Sequence, residues 1–315
     1  MTLPVIGQIK NRIQPVLDLL EKEDSQWRIP DAEGKPGGLV LLDDTLPLLV
    51  IPDLHGRVDF LADLLKYPIG QQKVLDLLIS DKIQVVCLGD GMHSESRGKL
   101  RWQEALSEYE RGFETCPRMD EEMDENLSTM LEVMDLKIRF PRRFHFLKGN
   151  HENILNEKIN GNHPFIKYAL EGRMTKLYME KFLGNEFLNQ FDRFEKNLPL
   201  MAVSQWVILS HARPRDCYQR DKIINYRKNH EVIEGLTWTR DQDARKGCAS
   251  KMASEVFGIR EDQMRWFMGH NSIFEGIYES VEFEPLIKIH NPEKRTVVYL
   301  DPKSEFNKER DIFTI

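Results

Sequence analysis

Five short apolar runs, each followed closely by Asp, Asn or His, constrain the possible folds of this chain most strongly. The runs alternate with helix-periodic stretches, and this alternation is typical of an α/β protein. In open α/β sheets the ligand site lies beyond the carboxyl ends of the strands, so we expect these five ends to meet at one place. The polar residues that follow the runs are Asp53 and His55 after LPLLVI, Asp90 and His93 after KIQVVCL, Asn150 and His151 after RFHFL, His211 after WVILS, and His270 after MRWFM.

Length and charge narrow the function classes. A chain of 315 residues has room for one large core, and we expect a single domain over residues 1–315. No stretch has the roughly twenty continuous apolar residues of a membrane helix, and the first residues lack the pattern of a signal peptide. The net charge of −7 argues against nucleic acid as the main partner. We therefore predict a cytoplasmic protein with neither a membrane nor a nucleic acid as its main partner.

The four cysteines are far apart in the sequence. None forms a CxxC pair, so the spacing favours reduced thiols over a zinc ribbon or a disulfide framework. The residues are Cys87, Cys116, Cys217 and Cys248.

Residues 99–138 are predicted to form a helical insertion. Two apolar stripes at helical spacing support this prediction. Their acidic outer face, MDEEMDEN, is interpreted as a solvated surface and the Met-rich stripe as core. The stripes run through Trp102, Leu106, Tyr109 and Phe113, and through Met123, Leu127, Met130 and Met134.

The polar strand ends have the composition of a metal site. Mixed nitrogen and oxygen ligands suit manganese, iron or zinc, whereas magnesium and calcium favour oxygen alone. Six such ligands are too many for one open catalytic ion. With one bridging carboxylate they suit a pair of ions about 3.5 to 4 Å apart, as in two-metal hydrolysis.

The order of these motifs resembles the calcineurin-like metallophosphoesterases of the phosphoprotein-phosphatase type. That family carries GDxHG, GDxVDRG, GNHE and two separate histidines, and this chain has PDLHG, GDGMHSESRG, GNHE, SHA and GH in the same order. LTWTRD is similar to the family's LLWxR segment, and the resemblance covers about residues 48–271. It implies two stacked mixed β-sheets flanked by helices, an αββα sandwich, with the site at one edge.

The resemblance also implies a role for each motif residue. Asp53 and His55 would bind the first ion, and Asp90 would bridge the two. The second ion would be held by Asn150, His211 and His270. Manganese is the expected metal, with iron or zinc as alternatives. The final motif lacks a second histidine, because position 272 is Ser272.

Substrate chemistry adds three candidates. His151 would be the general acid that protonates the leaving oxygen. Arg240 and Arg97 would bind phosphoryl oxygens, since a guanidinium fork matches them well. The remaining histidines are assigned structural or solvent roles, with His163 the most favourably placed to reach a substrate; they are His145, His163, His230 and His290.

Two motifs depart from the family pattern. Pro52 replaces the usual glycine of the first motif and leaves both ligands in register. In GDGMHSESRG an ungapped alignment puts His93 at the family's second aspartate, which supports the catalytic histidine. A three-residue insertion instead aligns Arg97 with the family's RG and makes Glu95 the substitute carboxylate. Either His93 or Glu95 would then orient His151, and the sequence leaves both alignments open.

The predicted enzyme is a dinuclear metal-dependent phosphoesterase. The expected reaction is phosphomonoester hydrolysis by metal-bound hydroxide, as in Ser/Thr phosphatases, on a phosphoprotein or a small phosphate ester. A nucleotide polyphosphate or phosphodiester hydrolase is the alternative, because fold and ligands do not fix the substrate. A non-catalytic metal-binding scaffold is the alternative of another class.

Overall fold

The computed structural model describes residues 4–260, 263–282 and 284–315, and within these ranges the chain forms two large mixed sheets. The strands are β1 Arg28–Pro30, β2 Pro36–Leu41, β3 Leu48–Ile51, β4 Pro68–Ile69, β5 Gln72–Lys73, β6 Gln84–Cys87, β7 Phe144–Phe146, β8 Met201–Val203, β9 Ile208–Ser210, β10 Trp266–Met268, β11 Glu279–Ser280, β12 Leu286–Lys288, β13 Thr296–Leu300 and β14 Ile312–Thr314. The helices are α1 Pro4–Leu20, α2 Val58–Lys66, α3 Val74–Ile79, α4 Lys99–Glu110, α5 Pro117–Arg139, α6 Glu171–Phe182, α7 Asn185–Asn197, α8 Arg220–Ile224, α9 His230–Thr237, α10 Cys248–Lys251 and α11 Lys308–Asp311.

One sheet has seven strands in the order β1-β2-β8-β9-β10-β12-β11, and the other has five in the order β14-β13-β3-β6-β7. In the first sheet β9, β10 and β12 are mutually parallel neighbours. In the second sheet β3, β6 and β7 are parallel. All five apolar runs predicted from the sequence are strands of these two parallel sets.

Burial on both faces of the strands explains how the sheets stack. Side chains alternate across a strand, and in β3 Leu48 and Val50 face the second sheet while Leu49 and Ile51 face helices. The helix layer on the five-stranded sheet includes α1, α5 and α7. The layer on the seven-stranded sheet includes α8 and α9. The arrangement confirms the predicted αββα sandwich.

The helical stretch 99–138 contains α4 and α5 as expected. The Met-rich stripe of α5 is buried, as predicted, with Met123 and Met130 at most 1% exposed. α5 packs against α1 and also contacts β7. The interpretation of this stretch as an insertion in a single domain remains a prediction.

The expectation of four reduced thiols is wrong for one pair. Cys217 and Cys248 form a disulfide, while Cys87 and Cys116 are buried free thiols. The two bonded residues are 31 positions apart in sequence, and their proximity follows from the packing of the loop after β9 against α10. The cysteine pattern therefore gives no argument for a reducing compartment.

Within the described ranges, no helix combines the length and apolar character that crossing a membrane requires.

Candidate metal centre

The carboxyl ends of six parallel strands from the two sheets meet at one edge of the sandwich. β3, β6 and β7 lead into the Asp53, Asp90 and Asn150 motifs, and β9 and β10 lead into His211 and His270. The structure therefore brings together the residues that the sequence nominates as ligands. The sixth strand, β12, leads into His290, which the sequence assigns to a structural or solvent role.

One half of the site is formed by Asn150, His211 and His270. The Asn150 Oδ1 atom lies 2.9 Å from His211 Nε2 and 2.8 Å from His270 Nδ1, and the two ring nitrogens are 3.3 Å apart. His211 Nδ1–H donates to the Leu88 carbonyl at 3.0 Å, so its Nε2 carries a lone pair. An amide oxygen and an imidazole lone pair converge here without a proton between them. Such convergence is the arrangement of a cation site.

The other half is formed by Asp53 and His55. His55 Nδ1–H donates to the His93 carbonyl at 2.8 Å, which leaves the Nε2 lone pair facing the carboxylates. This Nε2 lies 3.9 Å from Asp53 Oδ2 and 3.7 Å from Asp90 Oδ2. Asp90 Oδ2 also lies 3.4 Å from His211 Nε2, so its carboxylate stands between the two halves. That position suits the predicted bridge.

Two glycines of the motifs allow the aspartates to come so close to the backbone. A Cβ at Gly149 would lie 2.1 Å from Asp90 Oδ1, and one at Gly269 would lie 1.8 Å from Asp53 Oδ1. Both separations are far below van der Waals contact. Each ligand-bearing turn therefore requires glycine beside it.

Four non-glycine residues of the site have a positive φ. His55, Asp90, His93 and His270 have φ of 47°, 49°, 68° and 59°. A side chain in this left-handed region costs on the order of 1 kcal/mol, and such strain tends to cluster where function requires it. The sharp turns aim each side chain back across the strand end toward its neighbours.

Glu152, the last residue of GNHE, holds the turn that carries Asp90, the predicted bridge. Its buried carboxylate accepts hydrogen bonds from the backbone N–H groups of Asp90 at 3.0 Å, Gly91 at 2.9 Å and Gly149 at 2.6 Å. Lys148 Nζ donates to the Glu152 carbonyl. The second and third motifs are thus joined by one carboxylate.

Glu152→Gln is expected to lower the free energy of unfolding by on the order of 2 to 4 kcal/mol, because one amide oxygen cannot replace two carboxylate oxygens for three buried donors. Denaturant unfolding of the metal-free protein measures this loss. Glu157→Gln, a nearby partly exposed carboxylate, is the matched control. An unchanged unfolding midpoint for Glu152→Gln would contradict this role.

The buried charges of the site favour bound cations. Burial, reinforced by the Glu95 charge, raises the pKa of Asp53 to about 6. Burial and the Glu152 and Asp53 charges raise the pKa of Asp90 well above its ordinary value. Burial lowers the pKa of His55 to about 4, so this imidazole is a neutral potential ligand. Without cations the cluster combines costly carboxylates with unprotonated imidazoles, and metal ions relieve both.

Buried polar atoms that lack a hydrogen-bond partner also indicate a cation site. Among the described residues, Asp53 Oδ1 and His290 Nδ1 have no hydrogen-bond partner. Three sets of side chains in the site offer ligand atoms within 4.8 Å of one another: Asp53, His55 and His290; His55, Asp90 and His151; and Asp90, His211 and His270. The residues present therefore fit metal ions.

Glu95 does not lie where the alignment with a three-residue insertion would put it. Its carboxylate accepts from His290 Nε2 at 3.0 Å and lies 3.7 Å from His55 Nε2. The His93 ring lies beside His151 at a centroid distance of 5.0 Å, on a par with His55 at 4.9 Å. The geometry therefore favours His93, and not Glu95, as the neighbour of His151.

His151 is buried between the site and a covering loop. Its backbone N–H donates to Asp90 Oδ1 at 2.9 Å, and its ring packs on Phe165 at a centroid distance of 3.8 Å. Burial and the neighbouring imidazoles lower the pKa of His151 well below its ordinary value. Its Nδ1 has no hydrogen-bond partner among the described residues, so no carboxylate bonds to this nitrogen.

The two candidate arginines flank the site. The Arg97 guanidinium donates to the His55 carbonyl at 3.0 Å and pairs with Glu125, with 42% of its side chain exposed. Arg240 is exposed, and its charge adds to burial in lowering the pKa of His270 to about 4. Arg97 is engaged with protein groups, so Arg240 is the better placed of the two for a phosphoryl group.

The three other histidines with assigned structural or solvent roles have partners of their own. His163 Nε2 lies 3.0 Å from Glu234 Oε1, His145 Nε2 donates to the Arg142 carbonyl, and His230 Nε2 donates to the Arg227 carbonyl. The assignment of a structural or solvent role to His290 is at odds with its place in the site. The available signal was that His290, like the five nominated motifs, follows an apolar run.

Comparison with known proteins supports a family assignment. The profile of the calcineurin-like phosphoesterase family matches residues 46–292. No curated protein sequence matches the chain. The chain therefore belongs to the calcineurin-like phosphoesterase family, a family of phosphoester hydrolases, as the motif order indicated.

Solved structures share the fold at low sequence identity. A protein serine/threonine phosphatase from Saccharomyces cerevisiae, with similarity to human phosphatase PP5, superposes with a TM-score of 0.61 at 13% identity, covering 99% of this chain and 89% of that one. A cold-active protein-tyrosine phosphatase from a psychrophilic Shewanella species has a TM-score of 0.49 at 13% identity, covering 84% and 77%. A putative diadenosine tetraphosphatase has a TM-score of 0.44 at 14% identity, covering 89% and 97%. The first superposition agrees with the fold described above. The two weaker superpositions are not used to infer a substrate.

Proposed function

We propose that the protein is a metal-dependent phosphomonoesterase that uses two ions and acts on phosphorylated serine or threonine side chains. The observation that carries this proposal is the convergence of lone pairs from two half-sites on the Asp90 carboxylate. Asp53 and His55 would hold one ion, and Asn150, His211 and His270 the other. Manganese is the proposed metal, with iron or zinc as alternatives, since nitrogen and oxygen donors are mixed.

Charge supports a monoester over a diester. Two divalent ions would exceed the charge of Asp53, Asp90 and Glu95 by one, and Arg240 would add another. The centre is net cationic even with a bound hydroxide, and it stabilises a phosphomonoester dianion more than a diester monoanion. Phosphomonoester hydrolysis is therefore proposed ahead of phosphodiester or nucleotide polyphosphate hydrolysis.

The protein groups have separate tasks in this proposal. Bound ions would supply Lewis acidity and a water of lowered pKa. The Asp90 carboxylate stands between the two half-sites. It is held there because Oδ1 accepts the His151 backbone N–H and the Asp90 backbone N–H donates to Glu152. Arg240 would orient the phosphoryl oxygens. His151 would donate a proton to the leaving oxygen, since the negative charge of a bound phosphoryl group would raise the pKa that burial lowers. Phe165 limits water around its ring.

The test combines metal content with substrate preference. Protein loaded with manganese is expected to retain two ions per chain after dialysis and to hydrolyse a phosphoserine peptide and an aryl phosphomonoester. It is expected to act more slowly on a bis-aryl phosphate and a dinucleotide polyphosphate. Preference for either of the last two would favour the alternative enzyme. A chain that retains ions and hydrolyses none of the four substrates would favour the non-catalytic scaffold.

A further inference from the structure

His290 occupies the same position on its strand as the ligand candidate His270 does on the neighbouring one. β10 and β12 are parallel, and Met268 pairs with Lys288. His270 and His290 therefore both lie two residues beyond this matched pair, at the same edge of the sheet. The Ile273 N–H donates to the His290 carbonyl at 2.9 Å, which fixes the backbone there.

The His290 ring is fully buried, with 0% exposure, and it faces the first half-site. Its Nδ1 lies 3.9 Å from Asp53 Oδ2, and its ring centroid is 5.4 Å from that of His55. These three side chains offer ligand atoms within 4.8 Å of one another. A histidine that served packing alone would not need to point a nitrogen at a buried carboxylate and a second imidazole.

The hydrogen bonding of His290 assigns its tautomer. Glu95 Oε2 lies 3.0 Å from His290 Nε2, and a carboxylate can only accept. Nε2 therefore carries a proton, and in the neutral ring Nδ1 then carries a lone pair directed toward Asp53. That Nδ1 is buried without a hydrogen-bond partner among the described residues. A buried acceptor left unsatisfied is costly, and a cation would satisfy it.

We propose that His290 is a ligand of the first ion, together with Asp53, His55 and the Asp90 bridge, and that Glu95 is the positioning residue that orients it. The inference rests on the proposed two-ion function. A carboxylate on the far nitrogen of a metal-binding imidazole fixes the ring and raises its basicity. His290 supplies the nitrogen donor that the GHNS motif lacks at Ser272. The first ion then has nitrogen donors from two strands, which further favours manganese, iron or zinc over magnesium.

Metal affinity tests this assignment without reference to activity. Chelator-stripped protein would be titrated with Mn²⁺ against a chromogenic competitor, with bound metal counted by mass spectrometry. His290→Gln is expected to weaken one of the two ions by at least about 100-fold and to leave the other unchanged, and Glu95→Gln is expected to weaken the same ion by about 10- to 100-fold. His230→Gln, an exposed histidine bonded to a nearby carbonyl, is the matched control and is expected to bind both ions normally.

A second variant detects ligation directly. His290→Cys loaded with Co²⁺ is expected to show a thiolate-to-cobalt charge-transfer band, since Cys binds such ions as the thiolate. Absence of the band, together with two normal affinities in His290→Gln, would overturn the inference. Thermal unfolding of the metal-free variants separates loss of a ligand from loss of the fold: a weakened ion in a variant with a normal metal-free transition supports ligation.

The outcomes distinguish this inference from the proposed function. Wild-type protein that binds two ions and loses one in His290→Gln, yet hydrolyses no phosphoester, would support the ligand assignment and reject the enzyme. Active wild-type protein whose two affinities survive in His290→Gln would support the enzyme and reject the ligand assignment. Wild-type protein that binds no ion would reject both.

Discussion

Asp90→Asn is expected to reduce phosphomonoester hydrolysis by at least about 10³-fold, a loss comparable to or larger than that from removing one stabilising group of a preorganised site. The Asp90 carboxylate faces both half-sites, with Oδ2 at 3.7 Å from His55 Nε2 and 3.4 Å from His211 Nε2. Asparagine has nearly the same shape, but it removes the negative charge that a bridge between two cations needs. The measurement is the rate on an aryl phosphomonoester together with bound metal per chain.

The stability of the same variant is expected to change in opposite directions with and without metal. Burial and the Glu152 and Asp53 charges raise the pKa of Asp90 well above its ordinary value, so ionised Asp90 destabilises the metal-free protein. The uncharged amide removes this cost. Metal-free Asp90→Asn should therefore unfold at the wild-type temperature or above it, whereas metal should stabilise wild type far more than the variant.

Two results would contradict the bridge. One is an Asp90→Asn protein that keeps both ions and wild-type activity. The other is a metal-free variant that is markedly less stable than wild type, since Asp90 would then serve the fold and not the ions. Asp192→Asn, which removes a partly buried carboxylate of α7 that pairs with Lys196, is the control for loss of a charge outside the site.

The strand ends were predictable from the sequence because strand and ligand are adjacent there. Each apolar run is short, is buried on both faces and is followed within a few positions by the residue of interest, as in RFHFL before Asn150. Parallel pairing then brings the carboxyl ends together without further information. The fold class and the convergence of the nominated ligands follow from this adjacency.

The remaining features depend on contacts that the sequence does not encode locally. The run LIKIH places His290 after a strand, but the pairing of β12 with β10 that sets His290 beside His270 is not specified near it. Glu95 contacts His290 because the chain turns sharply at His93, which has a positive φ of 68°. The spacing of residues in the second motif could not predict where the Glu95 side chain would point. The Cys217–Cys248 disulfide likewise joins positions 31 residues apart.

His151→Gln is expected to slow hydrolysis of a phosphoserine peptide by about 10²- to 10⁴-fold, the usual contribution of a general acid. A serine alkoxide is a poor leaving group and needs a proton as the bond to phosphorus breaks. A dinitrophenyl ester leaves as a stable anion, so its hydrolysis should be slowed much less. The ratio of the two rates therefore reports proton donation separately from any general damage to the site.

The geometry predicts that this variant keeps its metal. The His151 group that contacts Asp90 most closely is the backbone N–H, at 2.9 Å from Oδ1, and glutamine preserves it. The ring Nε2 lies farther away, at 3.7 Å from Asp90 Oδ2. Loss of an ion in His151→Gln would make the side chain a ligand, and equal slowing of both esters would make it a positioning residue.

His93→Ala provides the comparison: if the His93 ring supports His151 in place of a carboxylate, its removal should slow the peptide more than the dinitrophenyl ester, by a smaller factor than His151→Gln.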